Sequence, residues 1–161
     1  MSRSIRHIIL ILLITANIPV FAQRYLSTER TVVIPKVLDL GVVAGSSTFN
    51  FTTTSNYDSG IEKTSVFTIT VKANVTWKIS VSSSAALFSP TSTVTPMPIG
   101  VLSLRSPSID ANYYTISYPT PLSSTGTKGE YTFTIDIKAD PDYLYEQNTY
   151  LTNLYFVISE P

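Results

Sequence analysis

The sequence predicts an all-β fold, an antiparallel β-sandwich of about eight or nine strands, and three observations predict it. Apolar and polar residues alternate with period 2 along the chain, and no stretch of a dozen residues carries the i, i+3, i+4, i+7 apolar spacing of an amphipathic helix. Thr, Ser, Val, Ile and Tyr dominate, and these fit a pleated, half-buried surface. Turn-forming clusters separate the apolar runs at a spacing of roughly 8–12 residues, the spacing of sandwiches and barrels.

The first element is not part of that fold. Arg3 and Arg6 give a positive start, Ile8–Ile14 is an unbroken apolar run, and Val20-Phe21-Ala22 ends it with small or β-branched residues at the two positions a signal peptidase reads. Residues 1–22 therefore read as a signal peptide cut before Gln23. The apolar run is shorter than the roughly 20 residues that cross a bilayer, so no membrane span is expected in the mature chain. Gln23 is not a cysteine, so no N-terminal lipid on cysteine is expected either.

Residues 23–161 read as one domain. Thr31–Ile34 is a short β-rich run ending at Pro35, and Val37–Val43 follows as a strand interrupted by Asp39 and Gly41. Thr48–Thr54 alternates Phe49 and Phe51 against Thr and Asn. Asn56–Gly60 has turn composition. Ser65–Lys72 is a clean strand with Phe67, Ile69 and Val71 on one face. Val75–Ser82 places Trp77, Ile79 and Val81 inward, and the two read as adjacent antiparallel strands. Ser83–Pro98 is a Ser/Thr/Pro-rich loop anchored by Leu87 and Phe88, and Ile99–Leu104 alternates again.

Arg105–Gly129 is the longest irregular region, with a short strand expected at Tyr114–Tyr118. Glu130–Lys138 is the strongest strand, with Tyr131, Phe133, Ile135 and Ile137 inward and Thr132, Thr134, Asp136 and Lys138 outward. A turn around Asp140-Pro141-Asp142 leads to a closing strand in Asn148–Ser159. Two long connections favour a Greek-key, Ig-like sandwich over a closed barrel.

Cleavage takes 22 of the 161 residues and leaves 139, enough for one core without staples. It also removes His7, the only histidine, and the chain has no cysteine. The mature protein then lacks the imidazole or thiol of a nucleophilic triad and the usual ligands of zinc, copper or haem. No catalytic residue, cofactor or metal site is expected, and the protein reads as no enzyme. With Arg3 and Arg6 gone, nine Lys+Arg face eleven Asp+Glu, a net charge of −2 with no basic cluster. Nucleic-acid binding through phosphate neutralisation is not expected.

The carboxylates Asp58, Glu62, Asp110, Asp140, Asp142 and Glu146 read as turn or loop residues. A glycosidase pair needs two of them facing a cleft, and Asp140-Pro141-Asp142 matches no full calcium loop. Trp77, the only tryptophan, reads as core. Eight of the ten tyrosines lie between Tyr113 and Tyr155. Tyr113 and Tyr114 fall in an expected loop and Tyr143 and Tyr145 beside a turn, where they offer flat amphipathic area to glycans or protein partners, or else cap the ends of the domain.

The final strand is apolar on both faces over Leu154–Ile158, where a sandwich strand normally has one polar face. Either a loop covers its outer side, or another chain completes the surface at Tyr155 and Val157 by adding a strand to an exposed edge. Arg24–Ile34 is the candidate donor segment.

The order Val66–Val81, Pro98–Arg105, Gly129–Lys138 and a closing Tyr150–Ile158 strand resembles small secreted β-sandwich proteins of Bacteroidota, which are in turn similar to fimbrial subunit and surface-adhesin domains. The resemblance covers about two thirds of the mature chain. It implies a periplasmic, cell-surface or extracellular location and action through protein–protein contact. The partners it implies are other protein subunits joined by β-strand addition; the alternative from the tyrosines is a carbohydrate-binding module.

Overall fold

A computed structural model describes residues 30–118 and 122–161. The expected signal peptide and Gln23–Glu29 lie outside the described residues. Residues 30–34 belong to a unit of their own, Met1–Ile34, and take no strand or helix. The strand expected at Thr31–Ile34 is thus not formed, and Val32, Val33 and Ile34 are exposed.

The chain from Pro35 onward is all-β. Its strands are β1 (Leu38–Ala44), β2 (Ile61–Ala73), β3 (Trp77–Ser83), β4 (Ser89–Pro90), β5 (Leu102–Ser106), β6 (Asp110–Thr115), β7 (Leu122–Gly126), β8 (Gly129–Ala139), β9 (Tyr150–Leu151) and β10 (Leu154–Ser159). One short helix, α1 (Thr54–Ser59), and a 3-10 turn at Ile99–Val101 complete the regular structure of the described residues. Five strands form one sheet in the order β1-β2-β8-β5-β6, three form a second in the order β10-β3-β7, and β4 pairs with β9. Every pairing is antiparallel.

The alternation seen in the sequence builds the core. Ile69 and Val71 of β2, and Phe133, Ile135 and Ile137 of β8, join Trp77, Ile79 and Val81 of β3 in one buried cluster. Both sheets therefore turn an apolar row to the same interior, which is how period-2 strands bury area.

Three elements differ from expectation. β2 and β3 lie in different sheets rather than pairing as a hairpin. The corner between them is tied to the chain before β1: Asn74 Nδ2 donates to the Pro35 carbonyl at 2.7 Å, and Asn74 Oδ1 accepts from Val37 N–H at 2.8 Å. The side chain satisfies backbone groups of the segment that enters β1. Thr48–Thr54 is not a strand, although Phe49 and Phe51 pack against the core. Thr53 and Asn56 form a reciprocal capping box that starts α1 instead. Finally, the region read as irregular holds two strands, β6 and β7, and the expected strand at Tyr114–Tyr118 ends at Thr115.

β2 carries a bulge between Lys63 and Phe67, where Ser65 has φ 53°. A non-glycine residue in that region costs free energy unless its surroundings hold it. Asp136 holds it: its Oδ1 accepts from Ser65 N–H at 2.8 Å.

Candidate functional site

Among the described residues the three-stranded sheet has β10 and β7 at its edges, and of the candidate residues Tyr155 and Val157 lie on β10. β10 forms one edge. Its register on β3 pairs Leu154 with Ser83, Phe156 with Val81 and Ile158 with Ile79. These three turn inward and pack against the core while staying half-buried. Phe156 meets Phe67 edge-on at 4.9 Å between ring centroids. The other row faces out: Tyr155 is 53% exposed and Val157 55%. Among the described residues no loop covers that face, and the outer row of the doubly apolar strand is open. Opposite them stand Ser82 and Ser80, so two apolar side chains rise from a hydroxyl-lined surface.

The adjacent tyrosines Tyr113 and Tyr114 are separated by the fold. The sequence placed both in a loop, but they lie on β6, and period-2 geometry sends them to opposite faces. Tyr114 pairs with the inward Leu104, and its Oη donates to Asp110 Oδ2 at 2.5 Å. Tyr113 is half-buried on the other face, its ring 4.5 Å from the Arg105 guanidinium. Burial pushes the Tyr113 hydroxyl well up from its ordinary value, so it stays protonated. Asp110 Oδ1 also accepts from the Asn112 backbone at 2.9 Å. The Tyr114 hydroxyl bond, with that backbone bond, holds the Asp110 carboxyl below the ordinary carboxylate range, and the same bond raises Tyr114.

Arg105 is the centre of the main polar network. Its Nη2 donates to Asp136 Oδ2 at 2.8 Å and to Glu62 Oε1 at 2.6 Å. Asp136 is only 2% exposed although its strand position points away from the core. With Ser65 on one oxygen and Arg105 on the other, its charge is fully engaged. Glu62 and Asp136 are thus bridged by a cation, an arrangement that ties β2, β5 and β8 together rather than one that frees a general acid. The bond to Asp136, ahead of the nearby charges of Tyr113 and Glu62, raises the Arg105 pKa above its ordinary value.

Tyr143 is exposed; its ring stacks on Tyr57 at 5.1 Å and its Oη donates to Asp58 Oδ1 at 2.8 Å. The bond to Asp58 raises its pKa. Tyr145 is half-buried and packs against the core. Asp140 pairs with Lys138 at 2.8 Å, and Asp142 Oδ1 accepts from Leu144 N–H, so the Asp-Pro-Asp carboxylates serve the turn. Among the described residues no group of three or more His, Cys, Asp or Glu can hold a metal ion, and no helix is long and apolar enough to cross a membrane.

The other edge, β7, carries a feature the sequence reading missed. β7 faces β3 with Leu122 opposite Val81, Ser124 opposite Ile79 and Gly126 opposite Trp77. Two of its three inward positions are therefore small. The sheets are left unfilled between β7 and β5–β6, in a cleft of about 270 Å³ floored by Ile79, Val81, Leu104 and Ile135, with Arg105, Asp110 and Tyr114 at its mouth. A second hollow of about 290 Å³ adjoins it at Ile109, Ser124 and Phe133 and reaches Trp77 and Tyr131. The signal was present as alternating Leu122-Ser124-Gly126, but it lay in a stretch too short and polar to read as a strand.

No known protein-family model matches the chain, and neither does any curated protein.

Proposed function

We propose that this protein is an exported, non-enzymatic Greek-key, Ig-like β-sandwich that works by contact with other protein chains at the periplasm, cell surface or exterior, as a pilus-like or adhesin-type structural subunit. The observation that carries the reading is β10: an edge strand with an apolar outer row, Tyr155 and Val157, left open to solvent. An unpaired edge presents a row of backbone donors and acceptors to an incoming strand. The half-burial of Leu154, Phe156 and Ile158 means that a neighbouring strand would also complete the interior on that side. The donor is the segment Arg24–Ile34 of a second copy, whose Val32, Val33 and Ile34 are exposed. Export rests on the residue pattern of positions 1–22.

Sedimentation of the wild type against a Tyr155→Ser/Val157→Thr variant tests the contact. The reading expects the wild type to self-associate with rising concentration and the variant to remain monomeric. Equal sedimentation of the two at every concentration contradicts it.

One observation favours glycan binding as a second reading. The Tyr143 ring, stacked on Tyr57 and held by Asp58, presents an open, oriented aromatic face of the kind sugar rings pack on. A glycan array whose signals vanish in Tyr143→Ala supports it; an array without signals removes it.

A further inference from the structure

The cleft beside β7 is a product of side-chain size. Trp77 lies over the edge strand so closely that a Cβ on Gly126 would come within 2.2 Å of the indole, so only glycine accommodates it there. Ser124, the next inward position, is too short to meet Phe133 and Ile135 across the interior. Interiors normally close such gaps, because unfilled space forfeits contacts. The opening follows the inward row of β7 from Leu122 to Gly126, a length of roughly 13 Å at the rise of a β-strand. Its two parts together reach the size of small-ligand sites, roughly 300–1,000 Å³.

Three properties define what it can hold. The floor is apolar along its length. The charged groups at the mouth are already engaged, Arg105 by Asp136 and Glu62, and Asp110 by Tyr114 and Asn112. The hollow at the other end is lined by no charged side chain. A charged ligand would therefore lose its hydration without gaining a partner. Trp77, 3% exposed, lines that end, and its buried Nε1–H has no acceptor among the described residues. A buried donor left unpaired is costly, and a ligand oxygen would satisfy it.

From these we infer that the β7 cleft binds a neutral, elongated apolar molecule bearing one oxygen acceptor, of the class of medium-chain acyl esters, with the chain on the Ile79–Ile135 floor and the oxygen at Trp77. This site is separate from the contact at β10 and does not depend on it.

Trp77 is the only tryptophan, so its emission reports on the site directly. Methyl decanoate titrated into the full mature protein should give a saturable emission change, and decanoate, with its charged head, should give none over the same range. Ser124→Leu fills the cleft from an edge position with room to receive the side chain. It should keep the circular dichroism of the wild type and bind the ester at least about tenfold more weakly, as expected when a few methylenes lose their apolar contacts. Trp77→Phe, followed by calorimetry, should weaken the ester but leave decane unaffected. The absence of a saturable change, equal binding by Ser124→Leu, or displacement of the ester by a peptide of residues 23–34 would each overturn the inference. The last would make the cleft a strand acceptor. Self-association lost in the Tyr155/Val157 variant with ester binding intact separates the two proposals.

Discussion

The two edges of the three-stranded sheet are built from the same kind of strand and leave opposite things open. At β10 the inward row is large (Leu154, Phe156, Ile158) and packs half-buried against the core, and the spare apolar bulk, Tyr155 and Val157, faces outward. At β7 the inward row is small (Ser124, Gly126), the outward row is hydroxyl-bearing, and the opening lies between the sheets. An edge strand becomes a contact face or the wall of a cleft according to which row of its period-2 pattern holds the volume. The difference is a matter of two or three side chains, so it can be broken by substitution at named positions.

The largest effect is expected where the cleft side is anchored. Asp136 joins the Ser65 bulge of β2 to Arg105 of β5, and removing it leaves the strained Ser65 N–H without its acceptor and the half-buried Arg105 guanidinium with Glu62 alone. Asp136→Ala should cost about 3 kcal/mol, the scale for breaking a buried pair by deleting one member, read as a drop in the urea midpoint at unchanged slope. An effect within about 0.5 kcal/mol, the ordinary surface range, would show that the network does not hold the β5–β8 side.

Filling the cleft should act in the opposite direction. Ser124→Leu is expected to stabilise the domain by about 1 kcal/mol, as cavity-filling changes commonly do. A destabilised Ser124→Leu would mean that the inward row of β7 is already packed.

At β10 the stability effect should be small and the association effect large. Tyr155→Ser with Val157→Thr should leave the unfolding free energy from urea titration within about 0.5 kcal/mol of wild type, because both side chains are exposed. A large loss would show that the outer row is structural.

The smallest effect is a pH dependence confined to the cleft mouth. Asp110 is held below its ordinary value of 3.8, so its contribution is full above that pH and is lost as the pH falls through the lower folded value. Tyr114 is held above its ordinary value of 10.0, so its contribution is full below that pH and fades above it. Asp110 is half-buried and Tyr114 exposed, so solvent screening keeps the effect modest. Asp110→Asn should flatten the acid limb of the stability curve below about pH 4 without changing it near neutrality. An unaltered acid limb would remove Asp110 from the account.

Most of the fold was legible in the residues. β2 and β8 follow the alternation of Phe67-Ile69-Val71 and Phe133-Ile135-Ile137, and both faces of β10 were read as apolar. What was not legible depends on distant partners. Whether Val75–Ser82 pairs with the preceding strand or crosses to the other sheet is decided by Asn74 binding Pro35 and Val37, far from it in the chain. Thr48–Thr54 alternates like a strand, yet Thr53 and Asn56 cap a helix. Tyr113 and Tyr114 were read together as one surface, but β6 divides them between two faces. The cleft was hidden because its signature is an absence of volume at Ser124, visible only once Phe133 is known to stand across from it. Asp136 shows the same limit, since an outward position gave no sign of burial until Arg105 was placed beside it.

The measurement that bears most directly on the central claim is the solution mass of the mature protein by light scattering across a concentration series, with and without residues 23–34. Strand addition at the β10 edge predicts oligomers that grow with concentration and vanish when residues 23–34 are removed. A monomer at every concentration in both proteins, or oligomers that persist without that segment, would contradict it.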